Sequence, residues 1–233
     1  MSETMMIQAQ DGSGSFSAYV AMPDKTPAPA IIAIQEIFGV NESMRQICDQ
    51  WAAQGYIAVS PDLFWRIEPN IQLTDKTDEE WQQAFDLFNK FDADKGVEDI
   101  AATISRVRAH EACTGKVGAV GYCLGGLLAY LTAARTGIDA TVGYYGVGIH
   151  QRLGEKDTIR TPLMLHIAEE DGFVDKDAQK AMHDGLDSHS LVTLHDYPGV
   201  DHAFARPDGV TRNEQAAKLA DQRTADFFAE HLR

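Results

Sequence analysis

A cysteine stands between glycines in the run G-Y-C-L-G-G at 121–126, and an acid-rich stretch and a histidine follow it later in the chain. Lys116–Tyr122 (KVGAVGY) has the composition of a strand and Leu124 onward (LGGLLAYLTAA) that of a helix, so Cys123 falls where one turns abruptly into the other. Such a turn strains its central residue and crowds the backbone. Only small residues two positions to either side tolerate it; Gly121 and Gly125 supply them, and Gly126 lets the helix approach the sheet. The thiol would then project above the sheet beside the N–H groups of a helix N-terminus, which can lower its pKa and bind a developing oxyanion. On these six residues alone, a buried cysteine in a glycine-rich crossover is an equal reading.

A nucleophile at this elbow needs an acid and then a histidine, each on a loop after a later strand. After PLMLHIA comes Glu169-Glu170-Asp171-Gly172-Phe173-Val174, and after VTLHDYP comes Gly199-Val200-Asp201-His202-Ala203-Phe204. Asp171, before a glycine, suits a carboxylate that orients an imidazole; Glu169 and Glu170 compete for that role, and all three acids could instead only solvate a loop. His202 lies in a short loop before the last helix. His166, inside a strand, reads as a satisfied core residue, while His110, His150, His183, His189, His195 and His231 read as solvent-exposed. His110 and Cys113 have no second pair at metal-ligand spacing, so no metal is expected, and hydrolysis by a cysteine, a histidine and an acid needs no organic cofactor.

The elements that must position these groups alternate, short β-rich runs with longer stretches of helical period, which is the pattern of an α/β fold: a mainly parallel central sheet with helices on both faces. Strands are expected at Phe16–Met22, Ala30–Gln35, Ile57–Ser60, Lys116–Tyr122, Ala140–Tyr145, Pro162–Ala168 and Val192–Tyr197. Met44, Ile47, Cys48, Trp51 and Ala52 follow the spacing of an amphipathic helix that Gly55 would end. Ile100, Ile104, Val107 and Arg108 mark a second. Glu214–His231 is a third, with Ala217, Leu219, Ala220, Phe227 and Phe228 as its core stripe. Asp75–Asp94 is strongly acidic yet carries Trp81, Phe85, Phe88 and Phe91, so it reads as a surface helix with an aromatic face.

The chain has 233 residues, 44% of them apolar, which suits one domain over 1–233 with a sizeable core. Its 20 basic and 35 acidic residues give a formal charge of -15, which repels nucleic acid and anionic membrane surfaces. The first ten residues lack the flank and core of a secretory signal, and no stretch approaches the roughly 20 apolar residues of a membrane span. Cys48, Cys113 and Cys123 are odd in number and unrelated in spacing, as reduced thiols would be. A cytoplasmic monomer acting on a small molecule is the expectation.

With Cys123, Asp171 and His202 in that order, together with Q-E-I-F-G-V-N at 35–41, G-Y-C-L-G-G at 121–126 and V-G-Y-Y-G-V-G at 142–148, the chain resembles the dienelactone hydrolase (carboxymethylenebutenolidase) family over essentially its whole length. The resemblance implies an α/β-hydrolase fold without a cap domain, and a lactone or ester hydrolase of aromatic degradation. It makes Cys123 the nucleophile, His202 the general base and acid, and Asp171 its orienting partner. Glu36 matches a carboxylate that takes the thiol proton once substrate displaces it from an arginine, here Arg206; an ion pair with Arg206 and nothing more is the alternative. The amides of Leu124 and Ile37 match the oxyanion hole, and Phe38 and Tyr145 fall among the substrate-binding positions.

The departures lie at the substrate end. Trp81 stands where family members hold a substrate carboxylate with an arginine, Phe85 where a tyrosine is usual, Phe88 where a tryptophan is usual, and Ala203 where a serine follows the histidine. A carboxymethylene lactone anchored by Arg206 and an uncharged or larger aromatic ester both remain open as substrates. A non-catalytic protein using Cys123 as a redox-responsive or ligand-binding thiol is the rival class, and an oligopeptidase is disfavoured without a propeller or cap.

Overall fold

A computed structural model describes residues 2–233 as two compact units divided after Val117. The first contains β1 (Ser2–Gln8), β2 (Ser15–Ala21), β3 (Ala28–Ile34), α1 (Glu42–Ala53), β4 (Ile57–Pro61), α2 (Asp78–Lys90) and α3 (Ala93–Arg108). β1 pairs antiparallel with β2 and β2 with β4, whereas β3 and β4 are parallel, with Ile31 opposite Ala58. Six of the seven residues of β3 are buried, as they must be in a parallel strand covered on both faces, which is why A-P-A-I-I-A-I reads as an unbroken apolar run. α1 buries Met44, Ile47, Cys48 and Trp51; Asn41 caps it by accepting the Met44 N–H at 3.1 Å, and Gly55 leaves it at φ +91°.

β1 has no counterpart in the sequence expectations. Only Met5 and Ile7 point inward among residues that lack the β-branched and aromatic enrichment by which strands are recognised. The expected helix over 75–94 also needs correction. Thr77 caps α2, the chain breaks at Phe91, and the buried side chains are Ala84 and Leu87, with Trp81 and Phe88 half-buried beside them and Phe85 exposed. Phe91 packs on Phe64 from beyond the helix end. The aromatics therefore flank an aliphatic stripe instead of forming one face.

The chain enters the second unit inside β5 (Cys113–Tyr122) and continues through α4 (Leu124–Arg135), β6 (Ala140–Tyr144), a 3₁₀ segment (Ile149–Thr158), β7 (Leu163–Ala168), α5 (Lys176–Leu186), β8 (Val192–Tyr197) and α6 (Glu214–Leu232). β5, β6, β7 and β8 pair in that order, all parallel, with Val120 opposite Val142 and Leu165 opposite Leu194. The expected strands are present to within three residues at each end. β6 stops at Tyr144 because Tyr145 has φ +38°. α4 is buried on nearly every side, as a helix without a polar face must be.

α6 buries Ala217, Ala220, Thr224, Phe227, Phe228 and Leu232, but Leu219 is exposed. Two residues on from Ala217, it lies about 200° around the helix and so on the opposite side. The six histidines expected in solvent are half-buried instead. His183 is held at both ring nitrogens by Asp187 and Asp196, each at 3.0 Å, and His195 stacks on His166 at 5.8 Å.

Candidate active site

Cys123 caps α4 directly after β5, with φ +56°, a region that non-glycine residues seldom occupy. The bend brings backbone so close that a Cβ on Gly121 would lie 1.9 Å from the carbonyl oxygen of Gly125. A Cβ on Gly126 would lie 2.7 Å from the Tyr144 carbonyl oxygen, so α4 can approach β6 only without one. The Cys123 N–H donates to the Tyr144 carbonyl at 3.1 Å, and its carbonyl accepts the Gly126 N–H at 2.9 Å. The sulfur is thereby held at the start of α4, where the Leu124 amide begins the helix and the dipole favours negative charge.

The acid loop follows β7. Asp171 is buried, accepts the N–H groups of Phe173 (2.8 Å) and Val174 (3.2 Å) on Oδ1, and meets His202 Nδ1 at 2.9 Å through Oδ2 and 3.1 Å through Oδ1. Those two amides fix the carboxylate plane and leave the second oxygen for the ring. Glu169 and Glu170 do neither; Glu170 reaches out to Lys176. His202 lies in the turn after β8, with Tyr145 and Phe173 edge-on to its ring at 5.0 and 4.9 Å.

The ring is buried, which opposes a charge on it, but the charge of a Cys123 thiolate and the Asp171 hydrogen bond outweigh burial and raise its pKa to about 10. Its Nε2 has no well-formed hydrogen bond among the described residues, so what reaches it from Cys123 is mainly charge. One edge of the imidazole is fixed and the other is left for a proton transfer. Such an arrangement can activate a nucleophile and protonate a leaving group.

Two residues that build this geometry carry no sequence signal of the kind that marked the cysteine. Asp201 Oδ1 accepts the Gly172 N–H at 3.0 Å and the His202 N–H at 2.6 Å, stitching the acid loop to the histidine turn. Gln179, buried on α5, donates from Nε2 to the carbonyls of Ala168, Glu169 and Val174, at 3.2, 3.2 and 2.7 Å. Both act through loop packing that spacing does not encode, although an acid directly before the histidine is a usable hint. Arg206 is buried at the end of the same turn, its N–H on the Ala203 carbonyl at 3.0 Å.

In the first unit, Glu36, Ile37 and Phe38 follow β3 and are all buried. Gln35 holds this turn by accepting the Leu63 N–H at 3.0 Å, and the Phe38 carbonyl accepts the Leu73 N–H at 2.9 Å. Trp81 sits edge-on to Phe38 at 5.0 Å and stacks on Phe85 at 5.5 Å and 29°, with its indole N–H on the Asp75 carbonyl at 3.1 Å. The structure therefore gathers Phe38, Trp81 and Phe85 into one aromatic group in this unit, and Asp171, His202 and Tyr145 into one polar group in the other.

A model of the dienelactone hydrolase family matches residues 16–232. A relative from Azospirillum brasilense, provisionally named a carboxymethylenebutenolidase, is 50% identical over 226 residues and covers 94% of this chain and 95% of its own. The carboxymethylenebutenolidase of Pseudomonas putida is 40% identical over 229 residues, covering 98% and 97%. Among solved structures, a provisionally named dienelactone hydrolase from Klebsiella pneumoniae subsp. pneumoniae MGH 78578 has a TM-score of 0.87 at 23% identity, over 99% of this chain and 100% of that one. That likeness carries the α/β-hydrolase fold.

Proposed function

The chain belongs to the dienelactone hydrolase family, and from that premise we propose a lactone or ester hydrolase that works through a thioester on Cys123. The reading rests on one observation above all: a buried imidazole clamped by Asp171 at Nδ1, its Nε2 without a well-formed hydrogen bond among the described residues, in the same unit as a cysteine on a strained strand-to-helix bend. The Cys123 thiolate attacks the acyl carbonyl, and the amide of Leu124 at the start of α4 receives the oxyanion. Collapse breaks the C–O bond, and the His202 imidazolium gives its proton to the departing enolate or alkoxide. Neutral His202 then takes a proton from water, which attacks the thioester; the acid leaves and the thiolate is restored. Arg206, buried in the turn that carries His202, is the anchor for a substrate carboxylate.

A panel of dienelactones and activated esters tests the reading. Wild type should turn over at least one, and Cys123→Ala should lose that turnover by several orders of magnitude. A variant as active as wild type, or a wild type inactive on the whole panel, would favour the thiol-sensor class.

The stacked Trp81 and Phe85 favour a second reading of the substrate, an uncharged or larger aromatic ester. By the resemblance given above, an indole stands where the family holds a substrate carboxylate with an arginine, and losing such a partner weakens carboxylate binding by about one to several kcal/mol. Trp81→Arg should then improve kcat/KM on the anionic lactone and lower it on an aromatic ester. If both rates fall together, Trp81 does not choose between them.

A further inference from the structure

A line of hydrogen-bonded side chains, buried between its two ends, joins α6 to β6, β7 and β8, and the mechanism above does not use it. Arg223 donates to the Tyr197 hydroxyl at 3.1 Å, and that hydroxyl meets His166 Nδ1 at 2.8 Å. His166 Nε2 meets Thr224 Oγ1 at 2.9 Å, Thr224 Oγ1 meets the Tyr144 hydroxyl at 2.7 Å, and that hydroxyl donates to Asp221 Oδ1 at 3.0 Å. Tyr144, His166, Tyr197 and Thr224 are all buried.

Counting protons gives the line a direction. A carboxylate only accepts, so the single Tyr144 proton goes to Asp221, and the 2.7 Å contact must use the Thr224 proton. Thr224 then has none for His166, so Nε2 carries the hydrogen and donates to it. Burial, with the charges of His195 and Arg223, pushes the His166 pKa well below its usual value, so the ring is neutral and Nδ1 accepts from Tyr197. Every bond therefore points from the guanidinium to the carboxylate, and aligned bonds of this kind polarise one another.

The same three strand residues hold the site through their backbone carbonyls. Tyr144 accepts the Cys123 N–H at 3.1 Å, His166 accepts the Tyr145 N–H at 2.8 Å, and Tyr197 accepts the Glu169 N–H at 3.1 Å, at the start of the loop that carries Asp171. Tyr145 in turn packs on the His202 ring. We propose that this one-way chain is a positioning device for the nucleophile, the histidine and its acid, with His166 and Thr224 as positioning residues. By locking α6 to β6, β7 and β8, it fixes the carbonyls on which those three groups depend.

The proposal rests on Cys123 being the nucleophile, so the test includes readouts that do not need turnover. Thr224→Val keeps the shape and removes the hydroxyl, Tyr197→Phe interrupts the chain elsewhere, and Thr224→Ser restores the hydroxyl. On an ester that wild type hydrolyses, the first two should lower kcat about tenfold with KM within about twofold, as a small misplacement of reacting groups does; Thr224→Ser should recover most of it. The pH profile of iodoacetamide alkylation at Cys123, resolved by site with mass spectrometry, should shift in the same two variants. In wild type, ¹⁵N chemical shifts should show His166 protonated at Nε2. A folded Thr224→Val or Tyr197→Phe with wild-type kcat and alkylation profile overturns the proposal, and so does an Nδ1-protonated His166, which decides the matter even if neither variant folds. Should wild type hydrolyse nothing while the alkylation profile still shifts, the hydrolase reading fails and the positioning role stands.

Discussion

At His202, burial and charge pull in opposite directions. Burial disfavours the imidazolium, yet the Cys123 thiolate charge and the Asp171 hydrogen bond prevail, so the folded chain keeps this proton up to about pH 10 where an unfolded one releases it near 6.5. Because the folded pKa is the higher one, the stabilisation from this group is complete below about 6.5 and drains away as pH rises towards 10. The alkaline limb of kcat/KM should accordingly lie near pH 10 in wild type. Asp171→Asn should move it to lower pH and lower kcat by about 10²–10⁴-fold, since it removes both the charge and the best acceptor at Nδ1. Rates between pH 6 and 11 decide it, and an unmoved limb would deny Asp171 any hold on the ring. Cys123 and His202 stand out in the sequence because glycines and strand ends punctuate them. That Asp171, and neither neighbouring glutamate, takes Nδ1 is settled by the Phe173 and Val174 amides, which chain order does not reveal.

Parallel strands and amphipathic helices announce themselves by apolar runs and 3.6-residue spacing, which is why β3 through β8 and the buried faces of α1 and α3 were readable. Other features were not, α5 and the 3₁₀ segment among them, for which the sequence raised no expectation. β1 lacked strand-forming residues, α2 carried its aromatics beside the buried stripe, and the acid on α3 that docks it was hidden among polar neighbours. That acid is Asp99, which is fully buried and accepts from Trp65 Nε1, Arg66 Nε and Arg66 Nη2, each at 2.8 Å. A spacing argument sees Ile100, Ile104 and Val107 and passes over the residue that satisfies two side chains at once. Removing one partner of such a pair strands the other, at a cost of about 3–5 kcal/mol. Asp99→Ala should therefore lower urea-unfolding stability by roughly that amount, less what Arg66 recovers by its partial exposure. Activity per folded molecule should be unchanged, and a loss below about 1 kcal/mol would mean that the three hydrogen bonds do no more than offset desolvation.

The net charge of -15 acts on the whole chain at once. Summed over the molecule, like-charge pairs outnumber opposite ones, and their repulsion destabilises any compact state. Against this stand short ion pairs such as Arg135–Glu155 at 2.6 Å and Arg66–Asp11 at 3.1 Å. Salt treats the two unequally. The Debye length falls from about 30 Å at 0.01 M to about 8 Å at 0.15 M, which removes repulsion acting across the molecule but leaves much of the attraction between atoms in contact. The isolated surface pairs contribute only about 0–1 kcal/mol each in any case. Adding sodium chloride from 10 to 150 mM should thus raise Tm, and the same salt should not promote binding to DNA or to anionic vesicles. Thermal melts over that range distinguish the two contributions: a falling Tm would show that contact pairs outweigh long-range repulsion, and the excess of acid would then be a surface property with no bearing on stability.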